Sequence, residues 1–105
     1  MAIRNLKSQF STTSAIANGA TAGGSVDVGD MSRGVVMAPT GFDGTAINWD
    51  VSNDATTWYR HTASTTISAT QAADIPAGVM ACRYIRPVAA TSQTGAVTLE
   101  LALSH

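Results

Sequence analysis

Alternating apolar and polar residues along most of the chain predict β-strands. In 96–103, Val97 and every second residue after it are large and apolar, while the residues between them are polar or small. The stretch 46–52 alternates in the same way around Ile47 and Trp49. A period of two places one face of a strand against a core and the other toward solvent. Further short strands are predicted over 13–17, 25–28, 34–38, 57–62, 66–70 and 83–89.

Turn-forming residues separate these strands. Clusters of Gly, Asn, Asp and Pro recur at intervals of about 8–12 residues, which is typical of an antiparallel sandwich or barrel. The tripeptide 53–55 predicts a tight hairpin between strands 46–52 and 57–62. Pro87 has no N–H to donate, so we expect its strand to be at an edge or bulged. The predicted core between two sheets contains Trp49, Trp58, Ile85, Leu99 and Leu101.

The first 24 residues are predicted to form an N-terminal arm before a β-sandwich domain of residues 25–105. Ile3, Leu6 and Phe10 are spaced by three and four residues, as on one face of a short helix. A helix of about ten residues is only marginally stable in water by itself. Two interpretations therefore remain open. The segment is either a frayed terminus or an arm that orders when its apolar residues dock on a partner.

Composition indicates one small domain with a weakly charged surface. The 105 residues include 6 Lys and Arg and 7 Asp and Glu, and the net charge is −1. This balance lacks the basic surplus that phosphate neutralisation needs, so we expect no nucleic-acid partner. Ser and Thr account for 24 residues and Ala for 18. A small core with such a surface favours oligomerisation or cover by another protein.

The sequence shows no sign of membrane insertion, secretion or a disulfide framework. No apolar run reaches the length of about 18 residues that a membrane helix needs. Arg4 and Lys7 are not followed by the apolar stretch of a signal peptide. The single cysteine, Cys82, cannot form an internal disulfide. We expect it to be a buried thiol that packs as a small apolar side chain.

No catalytic or cofactor-binding motif is present. The chain has neither a glycine-rich phosphate loop nor a cluster of His and Cys. His61 follows aromatic residues in a predicted strand, which favours a structural or surface histidine over a catalytic one. Asp43, Asp50 and Asp54 could bind one ion, or they could be solvated turn residues. We therefore expect no enzymatic activity and no cofactor.

The aromatic residues suggest one further type of site. Trp49 shares a strand face with Ile47, which places it in the core. Trp58 and Tyr59 are adjacent in a predicted strand, so their side chains must point to opposite faces. One of the two is then exposed or covered by a partner. Together with Asp54, they could form a sugar-stacking platform, and the alternative is aromatic packing across the hairpin.

Most of the chain, from about residue 13 to residue 103, resembles small structural proteins of tailed bacteriophages. In those proteins a hairpin of the form V-S-x-D-G-T-T-[WF]-Y follows an alternating strand that contains an aromatic residue. Here the hairpin runs Val-Ser-Asn-Asp-Ala-Thr-Thr-Trp-Tyr, and Ala55 stands where the family has glycine. The matching positions are 15–20, 26–29, 41–54, 57–59, 75–79, 83–86, Gln93 and 97–101.

The resemblance implies a head cement or decoration protein. Such proteins are jelly-roll-like antiparallel β-sandwiches of about seven or eight strands. They bind the outer surface of the major capsid protein lattice, commonly as homotrimers, and stabilise the head. The implied location is the virion, after synthesis in the host cytoplasm. Ile3, Leu6 and Phe10 are then expected to contact the capsid or a neighbouring subunit, and Trp58 or Tyr59 to form an exposed aromatic contact. The alternative function is a glycan-binding module on the virion surface or tail fibre.

Overall fold

The computed structural model describes residues 9–105, which form eight β-strands and one short 3-10 helix. The strands are β1 Gln9–Ile16, β2 Val26–Asp27, β3 Arg33–Met37, β4 Ala46–Ser52, β5 Tyr59–Thr66, β6 Ala72–Asp74, β7 Tyr84–Ala89 and β8 Val97–Ser104. The helix is Val79–Ala81.

The strands form two four-stranded antiparallel sheets that pack face to face. The first sheet has the order β1-β8-β3-β6 and the second has the order β2-β7-β4-β5. Every connection except the β4–β5 hairpin crosses from one sheet to the other. This is the strand order of a jelly roll, in which two Greek keys share eight strands. The prediction of an all-β antiparallel sandwich with seven or eight strands is confirmed.

The core lies between the sheets and is made by the alternating apolar residues. Trp49, Ile85, Leu99 and Leu101 are each at most 1% exposed, as predicted. The Trp49 indole N–H donates a hydrogen bond to the Thr65 hydroxyl at 3.0 Å. Its only polar atom is therefore satisfied inside the core.

The placement of Trp58 in this core is wrong. Tyr59 pairs with Val51 on the core-facing side of β4. Trp58 immediately precedes β5, and its ring contacts Arg86 of β7 on the outer face of the second sheet. There its side chain is half-buried.

Among the strands that form, β1 and β5 differ most from their predicted ranges, and β5 is Tyr59–Thr66 instead of 57–62. β1 begins at Gln9 and pairs with β8 along its whole length, from Gln9 opposite Ser104 to Ile16 opposite Val97. The strand predicted at 66–70 does not form, because Thr66 ends β5 and the chain then turns toward the first sheet. Thr70 within that turn has a φ of +61°. The short strand β6 follows this turn.

The predicted N-terminal arm falls partly outside the described residues. Ile3 and Leu6 belong to residues 1–8, which lie beyond that range. Residues 9–16 form β1, an edge strand of the first sheet. Phe10 lies near the start of this strand, opposite Leu103, and is 44% exposed. The predicted domain start at residue 25 lies in the loop that precedes β2.

Pro87 lies in a central strand, so its prediction as an edge or bulge residue is wrong. It pairs with Trp49 of β4 on one side, within an unbroken register. On the other side its carbonyl accepts a hydrogen bond from the Gly23 N–H at 2.8 Å. The missing N–H thus faces the segment that precedes the two-residue strand β2, and this segment pairs with β7 only through the isolated bridge between Ala22 and Val88. Proline at this position therefore removes no hydrogen bond between β7 and β4.

Candidate functional site

Three charged residues form a row across the outer face of the second sheet. Asp50 on the central strand β4 lies opposite Arg60 of β5 and opposite Arg86 of β7. Arg60 Nε donates to Asp50 Oδ1 at 2.6 Å, and Arg86 Nε donates to Asp50 Oδ2 at 3.0 Å. The Asp50 side chain is only 9% exposed, whereas those of Arg60 and Arg86 are 52% and 31% exposed. We call Arg60, Asp50 and Arg86 the arginine row.

A β-bulge sets the register of this row. Asn48 lies opposite Ser64, yet Asp50 lies opposite Arg60, so β5 contains two more residues than β4 over this interval. A bulge of this kind bends the strand and re-aims its side chains. Without the two extra residues, the residue opposite Asp50 would be Thr62 rather than Arg60. The local irregularity of β5 therefore creates the second ion pair.

Trp58 extends the arginine row toward the β4–β5 turn. The Arg86 guanidinium lies over the Trp58 ring, 4.5 Å from its centroid. A guanidinium at this distance is attracted by the negative face of the indole. Arg86 is thus held both by the Asp50 carboxylate and by the Trp58 ring. Tyr59 points to the opposite side and is 67% exposed, so the two aromatic side chains do not form a shared platform.

Tyr59 and Asp54 line a shallow groove of about 270 Å³ beside the β4–β5 turn. Cys82 also lines this groove. It packs against the hydrophobic core as expected, but it is half-buried rather than buried. The groove brings Tyr59 and Asp54 together as the sugar-site hypothesis requires, but Trp58 does not line it.

The Asp54 carboxylate is engaged within its own turn. Its Oδ1 accepts hydrogen bonds from the backbone N–H groups of Thr57 and Thr56, both at 2.9 Å, and from the Ser52 hydroxyl at 3.0 Å. These bonds, that of the Thr57 N–H above all, lower the pKa of Asp54 below its ordinary value. The next residue, Ala55, has a φ of +61°. The chain therefore adopts at Ala55 the left-handed conformation for which glycine is better suited.

Asp43, Asp50 and Asp54 do not share one ion site. Asp43 Oδ2 accepts hydrogen bonds from the backbone N–H and the hydroxyl of Thr94, both at 2.8 Å, and the backbone bond in particular lowers the pKa of Asp43. Asp50 binds arginines and Asp54 binds its turn. In residues 9–105, no three His, Cys, Asp or Glu side chains come together as metal ligands would.

His61 has structural contacts. Its Nδ1 accepts a hydrogen bond from the Ala63 N–H at 2.9 Å, within the bulge of β5. The ring also packs against Gly78, where a Cβ would lie 2.9 Å from Nε2. The imidazole therefore helps to hold the bulge and the loop before the 3-10 helix.

Gln93 is a buried polar residue to which the sequence assigns no role beyond its place in the family resemblance. It is 1% exposed and lies between three loops at one end of the sandwich. Its Oε1 accepts the Asp43 N–H at 2.9 Å, and its Nε2 donates to the carbonyls of Asp43 and Thr91 at 3.0 Å. Its backbone carbonyl accepts the Gly19 N–H at 2.7 Å. A periodicity analysis cannot find such a residue, because Gln93 lies outside any strand.

A wider groove of about 890 Å³ lies at the end of the first sheet, between β3, the residues after β6 and the end of the chain. Arg33 crosses this groove, and its Nε donates to the His105 carbonyl at 3.3 Å. Asp74, Ser104 and His105 also line this groove. No helix within the described part of the chain is long and apolar enough to cross a membrane.

The fold is similar to that of one solved structure with a phage origin. The crystal structure of the SPBc2 prophage-derived protein YomS matches with a TM-score of 0.67 and 16% sequence identity, over 100% of each chain. No protein-family model and no curated protein sequence matches this chain. At 16% identity, the likeness shows the fold alone.

Proposed function

We propose that this protein is a phage cement or decoration protein that binds the outer surface of the major capsid protein lattice and stabilises the head. The observation that carries the proposal is the structural match to a prophage-derived protein, which covers 100% of this chain and 100% of that chain. The jelly-roll topology agrees with the type of sandwich that the sequence resemblance implies.

The surface of the described residues is consistent with a part that is covered after assembly. The part of the first sheet's outer face that β1 and β8 form consists mainly of small side chains around Glu100. These are Ser11, Thr13, Ala15, Thr98 and Ala102, each opposite its neighbour in the β1–β8 register. A surface of small side chains with one charge can be covered without a large desolvation cost. Many copies that bind only the assembled lattice would stabilise it by mass action. In this proposal the role is structural rather than catalytic, and the protein assembles as a homotrimer.

Cryo-electron microscopy of purified particles tests the location directly. Density for the jelly roll at regular positions over the outer capsid surface is the expected result, and it would also reveal the oligomeric state. A few copies at the tail, or none on the particle, would overturn the proposal.

The proposed arm requires a deletion that spares β1. Removing residues 2–8 leaves the whole strand Gln9–Ile16 in place, whereas a longer deletion would shorten the sheet. We expect reduced occupancy on capsids that lack the native protein, and Phe10→Ser should reduce it further. Unchanged occupancy in both variants would exclude the arm from the contact.

A glycan-binding module is the second candidate function, and the exposed Tyr59 beside its groove is the observation that favours it. A sugar ring stacks readily on an exposed aromatic face. This function predicts that a glycan array detects binding by the free protein and that Tyr59→Ala abolishes it. Binding that survives Tyr59→Ala would exclude the groove.

A further inference from the structure

We propose that the arginine row, together with Trp58, is a docking site for an acidic side chain of the protein on which this sandwich assembles. The proposal rests on the proposed function and adds the chemistry of the contact. The group that binds the arginine row is a carboxylate of a partner segment that contains glutamate or aspartate. It follows from the hydrogen-bond geometry of the row, its charge and its aromatic neighbour.

Each arginine of the row has donors left over after it binds Asp50. Arg60 and Arg86 both reach the carboxylate through Nε. Among residues 9–105, neither arginine donates a hydrogen bond from its terminal Nη groups. A guanidinium presents its donors as a planar fork that matches a carboxylate. The row therefore offers two partly exposed forks, and its two positive charges exceed the single negative charge of Asp50.

Asp50 fixes the positions of both forks before any partner arrives. Its side chain is 9% exposed and lies on the central strand, so it cannot move out to solvent. Arg86 is held a second time by the Trp58 ring at 4.5 Å. Long side chains lose rotamer freedom when they bind, and a preformed arrangement reduces that cost. The row is thus better suited to binding than two free surface arginines.

The composition of this face agrees with a protein partner. Trp and Arg are enriched among the residues that dominate binding energy in protein interfaces. Only 12% of the chain is charged and 6% is aromatic, yet Arg60, Arg86 and Trp58 lie side by side. A stacked saccharide fits less well, because Arg86 lies over the Trp58 ring and Tyr59 points to the opposite side.

Nuclear magnetic resonance of the isolated protein tests the site with defined probes. Blocked tetraglutamate peptide is titrated into ¹⁵N-labelled protein, with blocked tetraglutamine and glucuronic acid in parallel. We expect tetraglutamate to shift the Nε–Hε signals of Arg60 and Arg86 and the indole signal of Trp58. The indole signal of Trp49 is an internal reference, because this buried N–H is bonded to Thr65.

Single substitutions test the row without removing all partners of Asp50. Arg60→Gln leaves Arg86 on the carboxylate, so the fold should be retained. Loss of one charge-assisted contact should weaken tetraglutamate binding about tenfold. Arg60→Lys keeps the charge but not the fork, and it should weaken binding as well. Arg33→Gln is the matched control: it removes one exposed arginine from the other sheet and should leave binding unchanged.

Several outcomes would overturn the proposal. Tetraglutamate could leave the NMR signals of Arg60, Arg86 and Trp58 unchanged. It could also shift the Nε–Hε signal of Arg33 as strongly as that of Arg60, which would indicate non-specific electrostatic attraction. Equal binding by Arg60→Lys would show that charge alone matters. Tighter binding of glucuronic acid than of tetraglutamate would identify an acidic saccharide instead of a protein segment.

Sedimentation with capsids separates this proposal from the proposed function. If the wild-type protein occupies capsids and Arg60→Gln occupies them equally, the docking site is wrong while the function stands. If tetraglutamate binds the row but the wild-type protein does not occupy capsids, the function is wrong while the site stands.

Discussion

Replacing Gln93 by alanine should destabilise the protein more than any other single change to a loop side chain described here. The side chain makes three hydrogen bonds, one to the Asp43 N–H and two to the carbonyls of Asp43 and Thr91. A hydrogen bond contributes about 0.5–1.5 kcal/mol net, and buried groups left without a partner cost at least as much. The three losses together predict a decrease of about 3 kcal/mol in the free energy of unfolding.

This loss is a large fraction of the stability of a small domain, which is about 5–15 kcal/mol in total. Thermal unfolding followed by circular dichroism should show a midpoint lower by on the order of 15 °C. Hydrogen exchange should show where the loss acts, because the Gly19 N–H is bonded to the Gln93 carbonyl at 2.7 Å. We expect its protection to decrease before the strands exchange.

Gln71 provides the matched control. Its side chain accepts one hydrogen bond, from the Ser68 N–H at 2.9 Å in an exposed turn. Gln71→Ala should therefore cost less than about 1 kcal/mol. Gln93→Glu keeps the shape but cannot donate to the carbonyls of Asp43 and Thr91, so it should be no more stable than Gln93→Ala at neutral pH. If Gln93→Ala costs no more than Gln71→Ala, the three loops are not held by this side chain.

Three further predictions concern the second sheet and its turn. Ala55→Gly should stabilise the protein by about 0.5 kcal/mol. Alanine in a left-handed conformation costs about 1–2 kcal/mol, whereas the extra freedom of glycine in the unfolded chain costs only about 0.4–1 kcal/mol. An unchanged or lower unfolding midpoint would contradict this. The bonds from Thr57 and its neighbours lower the pKa of Asp54, so they stabilise the fold above the unfolded value of about 3.9 and this contribution is lost as the pH falls. In Asp54→Asn, the unfolding midpoint should therefore decrease less steeply with pH below about pH 4 than in the wild type. The same pH dependence in both proteins would be evidence against this prediction. The double variant Arg60→Gln, Arg86→Gln should lose about 2 kcal/mol more unfolding free energy than the two single variants together. Only the double variant leaves the buried Asp50 carboxylate without a partner. If denaturant unfolding shows that the two single losses simply add up, the arginines do not share Asp50 as described.

The sequence predicted the fold where periodicity is strict. In β4 and β8 the apolar residues alternate without interruption, and Trp49, Leu99 and Leu101 are buried as expected. Prediction failed where another constraint decides the conformation. Thr66–Thr70 has strand-forming residues, yet the chain must cross to the other sheet there and turns at Thr70 with positive φ. Propensity is a weaker determinant than the connection that the topology requires.

The arginine row could not be predicted from the sequence. Asp50, Arg60 and Arg86 come together only because three strands lie side by side in a particular register. That register depends on the two additional residues of the β5 bulge, and a bulge leaves no clear signal in alternation.

Fold stability and partner binding are carried by different parts of the molecule, so they should vary independently. The Gln93 network joins loops at one end of the sandwich, whereas the exposed parts of Arg60 and Arg86 lie on an outer face. Gln93→Ala should therefore lower the unfolding midpoint while the folded protein binds tetraglutamate as before. Arg60→Gln should weaken binding and change the midpoint little, because Asp50 keeps Arg86 as a partner. Binding is measured at a temperature well below both unfolding midpoints, so that both variants are folded. If Gln93→Ala weakened binding as much as Arg60→Gln does, the loops would be coupled to the outer face, and the row could not be regarded as a preformed site supported by the sheet alone.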